Sequence, residues 1–312
     1  MNYTAPKPLK KGDKVAIISP SSPISSSEQI YDSLPIFEKN NLKPVFGSNV
    51  IGLNSDNWSS GSIQDRVEEI AWAFADDSIN GIIAAEGGWS AIELVPYLPY
   101  DIIRENPKVF MGMSDVTAIN TGILSGANLI NFSGPNVRIR KDYKYDVNNL
   151  NKALELLKKD EKWNIAPWYA NNKLQRRVCD GLVDGKSIGG NLTLFSALAG
   201  TPFMPDCEGA ILFLEDIWAG GFEVSLSLNR LELTGILDQI NGVVFGEFMK
   251  QPQRGVGDMT IEDIIVSKFR DRCPCLYGFN FSHGELVANI PLGVDTVLDA
   301  DNMIVSFDNP FK

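Results

Sequence analysis

The sequence predicts an α/β fold, in which a mainly parallel N-terminal sheet flanked by helices precedes a second, smaller C-terminal domain of α+β or barrel-like type. Three observations predict it. The first half alternates short apolar runs with amphipathic segments, which is typical of a parallel sheet covered by helices. The second half carries more short β-rich runs and fewer helical ones. The chain has 312 residues, a length sufficient for two domains.

The elements of the first half follow from two periodicities. Compact apolar runs predict buried strands over residues 14–19, 42–46, 80–85 and 108–112. A serine-rich start followed by Glu28 predicts a helix from Ser25 to about Asn40. Apolar side chains at helical spacing predict a second helix over residues 62–75, with one buried face.

The second half shifts towards shorter elements. A polar helix followed by a linker is expected over residues 143–170. Strands are predicted over residues 178–183, 209–214, 242–246 and 294–307, and helical spacing returns over residues 222–237 and 260–270. We therefore expect an N-terminal α/β domain over residues 1–160, a linker over residues 161–180 and a C-terminal domain over residues 181–312.

Charge and hydropathy exclude several classes of function. Lys and Arg number 28 against 39 Asp and Glu, a formal net charge of −11 that disfavours binding to nucleic acid or to an anionic membrane surface. No apolar run approaches the roughly 18 residues of a membrane helix. The first residues lack the apolar stretch of a signal peptide. We therefore expect a cytoplasmic protein that binds neither nucleic acid nor membrane.

The cysteines and the histidine give no indication of a metal site. Four cysteines are too sparse for a disulfide scaffold, so we expect reduced thiols. Cys273 and Cys275 lack the two-residue spacer of a zinc-binding pair, and the chain has one histidine. We therefore expect no metal.

A tight turn around Ser114 is the first candidate for chemistry. The apolar run ending at Gly112 is followed by Ser114 and then by a helix-compatible stretch, the arrangement of a nucleophile elbow that lifts a serine hydroxyl above the sheet. Backbone N–H groups at the start of such a helix favour a developing oxyanion. The second glycine of the elbow motif is replaced by Val116. In the alternative interpretation, Ser114 or Asp115 only caps the helix.

The loop after the predicted strand over residues 80–85 is the second candidate. Open parallel sheets bind ligands at the carboxyl ends of their strands. The chain continues there through Glu86, Gly87, Gly88, Trp89 and Ser90, and paired glycines let backbone N–H groups approach a ligand closely. The third glycine of a dinucleotide fingerprint is absent. The alternative is a plain turn.

A histidine and two acids could complete a hydrolytic site. His283, the only histidine, lies among turn-forming and polar residues, and imidazole is the usual proton shuttle for a serine nucleophile near neutral pH. Glu215 and Asp216 end a strongly apolar strand, and a carboxylate against the imidazole would fix its tautomer. The residues alone leave open which acid faces inward, and the alternative is a pair of solvated acids. Together the signals suggest a set of Ser114, Glu215 and His283, which only folding can assemble.

Seven segments, spread over nearly the whole chain, carry a resemblance to a known family. They are residues 9–21, 87–88, 106–118, 189–193, 214–217, 282–284 and 291–294. In the order and spacing of these segments, the chain resembles the LD-carboxypeptidase family of serine peptidases, which also contains the microcin C immunity peptidases.

The resemblance implies an N-terminal α/β domain and a C-terminal domain with the active site between them. It implies a triad of Ser114, Glu215 and His283, and an oxyanion hole formed by the backbone N–H groups of Gly88 and Asp115. It implies no metal or organic cofactor, and a homodimer, which is typical of the family. Members typically cleave the amide bond between an L-centre and a terminal D-amino acid, as in the murein tetrapeptides of cell-wall recycling.

Two departures from the family pattern concern the substrate. Many members carry Arg before the Gly-Gly pair and Tyr after it, where this chain has Glu86 and Trp89. The stretch after Glu215 also lacks the family's Pro-Tyr and Arg. We expect Glu86, Gly87, Trp89 and Ser90 to contact the small peptide substrate. The alternatives are a peptidase of the microcin C immunity type, which cleaves peptidyl- or aminoacyl-nucleotide antibiotics, and a catalytically silent peptide-binding protein.

Overall fold

Two β-sheets with helices packed against them form the protein. The computed structural model describes residues 3–24, 26–51, 58–140, 145–164, 175–251 and 259–312. None of the helices in these ranges combines the length and the apolar composition that crossing a membrane requires.

The chain forms its elements in the following order. The first half contains β1 (Lys14–Ile18), α1 (Glu28–Tyr31), α2 (Leu34–Lys39), β2 (Lys43–Phe46), α3 (Ile63–Ala75), β3 (Ile79–Ala84), α4 (Tyr100–Glu105), β4 (Val109–Met111), α5 (Thr117–Gly122), β5 (Asn131–Ser133) and α6 (Asp146–Leu156). The remainder contains β6 (Trp163–Asn164), β7 (Arg176–Cys179), β8 (Leu182–Asn191), α7 (Leu192–Ala197), β9 (Ile211–Ile217), α8 (Gly221–Leu233), α9 (Ile236–Gln239), β10 (Gly242–Met249), α10 (Ile261–Phe269), β11 (Cys275–Phe279), β12 (Ile290–Leu292), β13 (Asp295–Asp299) and β14 (Ile304–Phe307).

The first sheet has the strand order β12-β5-β4-β3-β1-β2. Strands β1 to β5 run parallel to their neighbours, and β12 pairs antiparallel with β5. Within β1, Val15 and Ile17 join one hydrophobic cluster while Ala16 and Ile18 join another. Because side chains alternate between the faces of a strand, both faces of this sheet are covered. The predicted N-terminal parallel sheet flanked by helices is confirmed.

The second sheet has the order β6-β14-β13-β8-β9-β10-β11-β7. Its central strands β8 to β11 are parallel, and the outer pairs are antiparallel. The cluster that contains Val15 also contains Leu212 and Leu214 of β9. The two sheets therefore share one apolar core, and β12 carries the chain back from the second sheet into the first.

The prediction of one continuous helix over residues 25–40 is wrong, because the segment contains two short helices, α1 and α2. The Ser33 hydroxyl donates to the carbonyl of Ile30, 2.6 Å away, and Pro35 follows in the first turn of α2. Proline lacks an N–H group and restricts the residue before it. The predicted start at Ser25 lies outside the described residues.

Several predicted strands and helices are also divided. The strand predicted over residues 178–183 is two strands, β7 and β8, separated by residues 180–181. The run over residues 294–307 forms β13 and β14, and the helix over residues 222–237 ends at Leu233 before α9 begins. The described parts of the predicted linker contain the strands β6 and β7, while residues 165–174 lie outside the described residues.

Candidate active site

Four parallel strands end at one cleft and deliver the candidate residues to it. Gly88 follows β3, Ser114 follows β4, Glu215 lies near the end of β9, and His283 follows β11. The carboxyl ends of parallel strands are where open α/β sheets bind ligands. The positions predicted from the sequence therefore meet because of the topology of two separate sheets.

Ser114 occupies a strained turn. Its φ is 64°, a backbone conformation that is costly for a non-glycine residue and is often found at functional sites. The turn is held on both sides, since the Asn120 side chain donates to the Gly112 carbonyl (2.9 Å) and the Met113 N–H donates to Asn136 Oδ1 (3.1 Å). The cap positions of the two helical turns that follow β4 are Met113 and Val116, and neither makes a side-chain capping bond. The geometry is that of an elbow and not of a helix cap.

Asp115 connects the Ser114 turn to the glycine loop. Its carboxylate is buried and accepts from the hydroxyl of Ser21 (2.5 Å) and from the N–H of Ala91 (2.7 Å). Burial raises the pKa of Asp115 above its usual value, and these donors oppose the rise. Since Ala91 lies just beyond the loop and Ser21 just beyond β1, the carboxylate links three segments of the chain around the serine.

The Gly87–Gly88 loop lies directly against the serine. A Cβ placed on Gly87 would be 3.1 Å from Ser114 Oγ. Gly88 has a φ of 147°, and a Cβ there would overlap the hydroxyls of Ser21 and Ser22. Only glycine fits at Gly88, because both the backbone angle and the space exclude a side chain. The loop therefore presents its backbone to Ser114.

The structure answers which acid faces the histidine. Glu215 Oε2 lies 2.7 Å from His283 Nδ1, and the same oxygen accepts from the Ser282 hydroxyl at 2.7 Å. Asp216 turns the other way, where its Oδ2 accepts from the N–H and the hydroxyl of Thr193 at 3.0 and 2.7 Å. Asn191 donates to both acids. Glu215 is therefore the partner of His283.

Electrostatics set the charge and the tautomer of His283. Burial lowers the pKa of His283, but the attraction of Glu215 and the hydrogen bond to it outweigh burial, so the pKa lies above its usual 6.5. A carboxylate can only accept, so Nδ1 carries the hydrogen and Nε2 is left to accept a proton. Nε2 is buried and has no hydrogen-bond partner among the described residues. No hydrogen bond joins it to Ser114, although both residues line the same cavities.

Two adjoining cavities meet at Ser114 and His283. We call the larger one, of about 930 Å³, the large cleft; its walls include Trp89 and Trp218. We call the other, of about 100 Å³, the small pocket; its walls include Arg138. Glu86, Gly87, Gly88, Ser114, Arg138 and His283 line both. Among the described residues, no group of three or more His, Cys, Asp or Glu side chains is placed to hold a metal ion.

The residues expected to contact substrate divide into two groups. Glu86 and Gly87 line both cavities, and Trp89 lines the large cleft with 64% of its surface exposed. Ser90 does not fit the expectation, because its side chain has no exposed surface. Its hydroxyl accepts from Nη1 of the buried Arg66 at 2.9 Å. Ser90 supports the loop from beneath and does not face the cleft.

Sequence reasoning assigned no role to several residues that surround the site. Asn191 and Ser282 hold Glu215 from two sides, and Arg138 and Arg140 line the small pocket. The two arginines follow β5, a strand that was not predicted. A strand predicted there would have directed attention to the loop at its carboxyl end.

Comparison with known proteins identifies the family. Residues 15–134 match the model of the LD-carboxypeptidase N-terminal domain, and residues 184–298 match the model of the LD-carboxypeptidase C-terminal domain. The chain belongs to the LD-carboxypeptidase family. The fold and the peptidase class expected from the motifs are thereby confirmed, and both halves of the site lie within the matched ranges.

Individual members of the LD-carboxypeptidase family resemble this chain along almost its whole length. The probable murein peptide carboxypeptidase of Bacillus subtilis is 29% identical over 308 residues, which cover 96% of this chain and 92% of the relative. The microcin C7 self-immunity protein MccF of Escherichia coli is 27% identical over 330 residues, which cover 97% and 95%. The crystal structure of an MccF-like protein from Bacillus anthracis has a TM-score of 0.85 at 27% identity and covers 98% of this chain and 99% of that chain.

Proposed function

We propose that this protein is a serine peptidase that hydrolyses the amide bond before a C-terminal D-amino acid in murein tetrapeptides. The observation that carries the proposal is the buried contact between Glu215 and His283 beside the strained Ser114 turn. Family membership and the name of the Bacillus subtilis relative support the reaction class and the substrate. As the family resemblance implies, we also propose that the enzyme acts as a cytoplasmic homodimer.

The proposed reaction is acyl transfer through Ser114. Ser114 Oγ attacks the scissile carbonyl while His283 Nε2 accepts the hydroxyl proton and later gives it to the leaving amine. Glu215 keeps the hydrogen on Nδ1 and stabilises the imidazolium that forms. The N–H groups of Gly88 and Asp115 stabilise the oxyanion, at about 3–4 kcal/mol per donor. Water then releases the acyl group from the enzyme.

The free protein is compatible with this role of His283. Catalytic hydrogen bonds are often long in the absence of substrate and tighten in the complex. Ser114 and His283 line the same cavities, and Nε2 has no hydrogen-bond partner among the described residues. A hydrogen bond from the serine hydroxyl to Nε2 in the substrate complex would therefore displace no bond seen in the free protein.

The pH dependence of the reaction should report the Glu215–His283 pair. His283 must be unprotonated to accept a proton, and its pKa is raised above 6.5. We therefore expect kcat/KM to fall as pH is lowered, with a midpoint above 6.5. Glu215→Gln should move this midpoint to lower pH, because the attraction of the carboxylate is lost. Profiles of kcat/KM for both proteins on an activated ester would check this, and a midpoint that Glu215→Gln leaves unchanged would contradict the pairing.

Mass spectrometry of a murein tetrapeptide incubated with the protein tests the proposed substrate. We expect the loss of one D-alanine from the C-terminus. The matched peptide ending in L-alanine should lose no residue, and Ser114→Ala protein should convert neither peptide. An unchanged D-alanine peptide, with Ser114 still reactive towards a fluorophosphonate, would leave the peptidase class intact and exclude this substrate.

A peptidyl- or aminoacyl-nucleotide is the second candidate substrate. Trp89 and Trp218 line the large cleft with 64% and 57% of their surfaces exposed, and exposed indole rings stack well on nucleobases. One relative is named as the microcin C7 self-immunity protein. Turnover of the tetrapeptide compared with an aminoacyl-adenylate analogue, in wild-type and Trp218→Ala protein, separates the two candidates, because only the nucleotide should depend on the indole.

A further inference from the structure

We propose that Arg138 binds the free C-terminal carboxylate of the substrate and thereby restricts cleavage to the end of a peptide. The inference rests on the proposed function, because it requires a peptide whose scissile carbonyl is at Ser114. Arg138 lines both cavities together with Ser114 and His283. The carboxylate of the last residue lies one residue beyond the carbonyl that is attacked, so its binding group must lie close to the nucleophile.

The guanidinium of Arg138 has one edge occupied and one edge available. Its Nη1 donates to Glu86 Oε2. Its Nε is buried and has no hydrogen-bond partner in the part of the chain that the structure describes. Arginine binds carboxylates with two parallel N–H groups, and Nε with Nη2 forms one such pair. Since a buried donor without a partner is unfavourable, a substrate carboxylate at this edge would satisfy it.

The backbone places Arg138 firmly beside the glycine loop. The Arg138 N–H donates to the carbonyl of Ala85 at 3.0 Å, and the Val137 N–H donates to the carbonyl of Ala84 at 3.0 Å. Glu86, which holds Nη1, also accepts from the N–H of Gly87 at 3.0 Å. The arginine, its acidic partner and the loop against Ser114 therefore form one connected unit.

The neighbouring Arg140 is committed elsewhere. Its Nε and Nη2 donate to the two carboxylate oxygens of Asp146 at 2.9 and 2.8 Å. The edge formed by Nε and Nη2, which is available in Arg138, is thus already occupied by Asp146 in Arg140. The charged side chains lining the small pocket are Glu86, Arg138, Arg140, Asp146 and His283. Of the two arginines, Arg138 has the available edge and lines both cavities.

The test compares a tetrapeptide ending in free D-alanine with the same peptide ending in D-alanine amide. We expect wild-type protein to prefer the free acid by at least about tenfold in kcat/KM. Arg138→Gln should raise KM for the free acid by about tenfold to a hundredfold with little change in kcat, because it removes binding that ground and transition states share. KM for the amide should stay unchanged.

Two further variants test whether the rise in KM comes from the lost charge of Arg138 or from a disturbance of the structure. The double variant Glu86→Gln/Arg138→Gln leaves no unpaired carboxylate at position 86. It should show the same rise in KM for the free acid as Arg138→Gln alone. Arg230→Gln, an exposed arginine of α8, is the matched control and should keep wild-type values for both peptides.

Labelling of Ser114 with a fluorophosphonate distinguishes failure of this inference from failure of the proposed function, because the probe has no carboxylate. If wild-type protein is neither labelled nor active on either peptide, the proposed function fails. If it is labelled, and acid and amide are cleaved with equal kcat/KM, Arg138 has no such role. If Arg138→Gln protein is labelled at the wild-type rate but loses kcat/KM equally for acid and amide, the proposed role of Arg138 would also be contradicted.

Discussion

Replacing Ser114 with alanine is expected to reduce kcat by roughly 10⁴–10⁶-fold. In the proposed reaction the Ser114 hydroxyl oxygen forms the covalent bond to the acyl group, so the acyl-enzyme route is lost entirely without it. Substrate binding should persist, because the backbone of Gly87, Gly88 and Asp115 is unchanged. Steady-state kinetics on the substrate that turns over, with a binding measurement on the variant, would check both statements.

A matched serine controls for the substitution itself. Ser267 is exposed on α10, where its hydroxyl donates to the carbonyl of Ile264 at 2.8 Å. Ser267→Ala should keep the wild-type kcat, and both variants should unfold cooperatively with similar midpoints. A Ser114→Ala protein that retains more than about a hundredth of wild-type kcat would remove the serine from the reaction.

Replacing Glu215 with glutamine is expected to reduce kcat by about 10³–10⁴-fold. Glutamine has nearly the same shape, but its amide neither fixes the hydrogen on His283 Nδ1 nor stabilises the imidazolium. The adjacent acid supplies the control, because Asp216 hydrogen-bonds to Thr193 and Asn191, whereas the hydrogen bond to the imidazole ring comes from Glu215. Asp216→Asn should therefore stay within about tenfold of wild-type kcat.

Comparison of the Glu215 and Asp216 variants tests which of the two acids acts on His283. The acids are consecutive in the chain and both are buried, so burial of a charge cannot account for a difference between them. Equal losses in kcat for Glu215→Gln and Asp216→Asn would contradict the assignment of Glu215. Circular dichroism and unfolding of both proteins would show whether a loss comes from the fold.

Local sequence patterns were sufficient to predict those elements whose structure is determined by residues close together in the chain. β1 and β3 are apolar runs in which buried residues face both sides of the sheet, and α3 has one buried face that includes Ile70 and Phe74. The turn at Ser114 was also visible, because a strand, a glycine and a helix start lie within a few residues. In each case the residues that determine the structure are neighbours in the sequence.

Elements that depend on distant partners were not predictable in the same way. β5 and β12 have three residues each; β5 lies between β4 and β12, and more than 150 residues separate it from β12. Missing β5 also hid the loop that carries Arg138. The orientation of Glu215 depends on Ser282, and that of Asp216 on Thr193, so no property of the acidic pair itself could reveal which faces the histidine.

Covalent labelling located by tandem mass spectrometry tests most directly whether Ser114, His283 and Glu215 act as one unit. After reaction with a fluorophosphonate, we expect one adduct per chain, on Ser114, formed at least about a hundredfold more slowly in His283→Ala protein. Labelling that occurs on another residue, or that proceeds on Ser114 at the same rate without the imidazole, would contradict the assembly of these three side chains into a catalytic site.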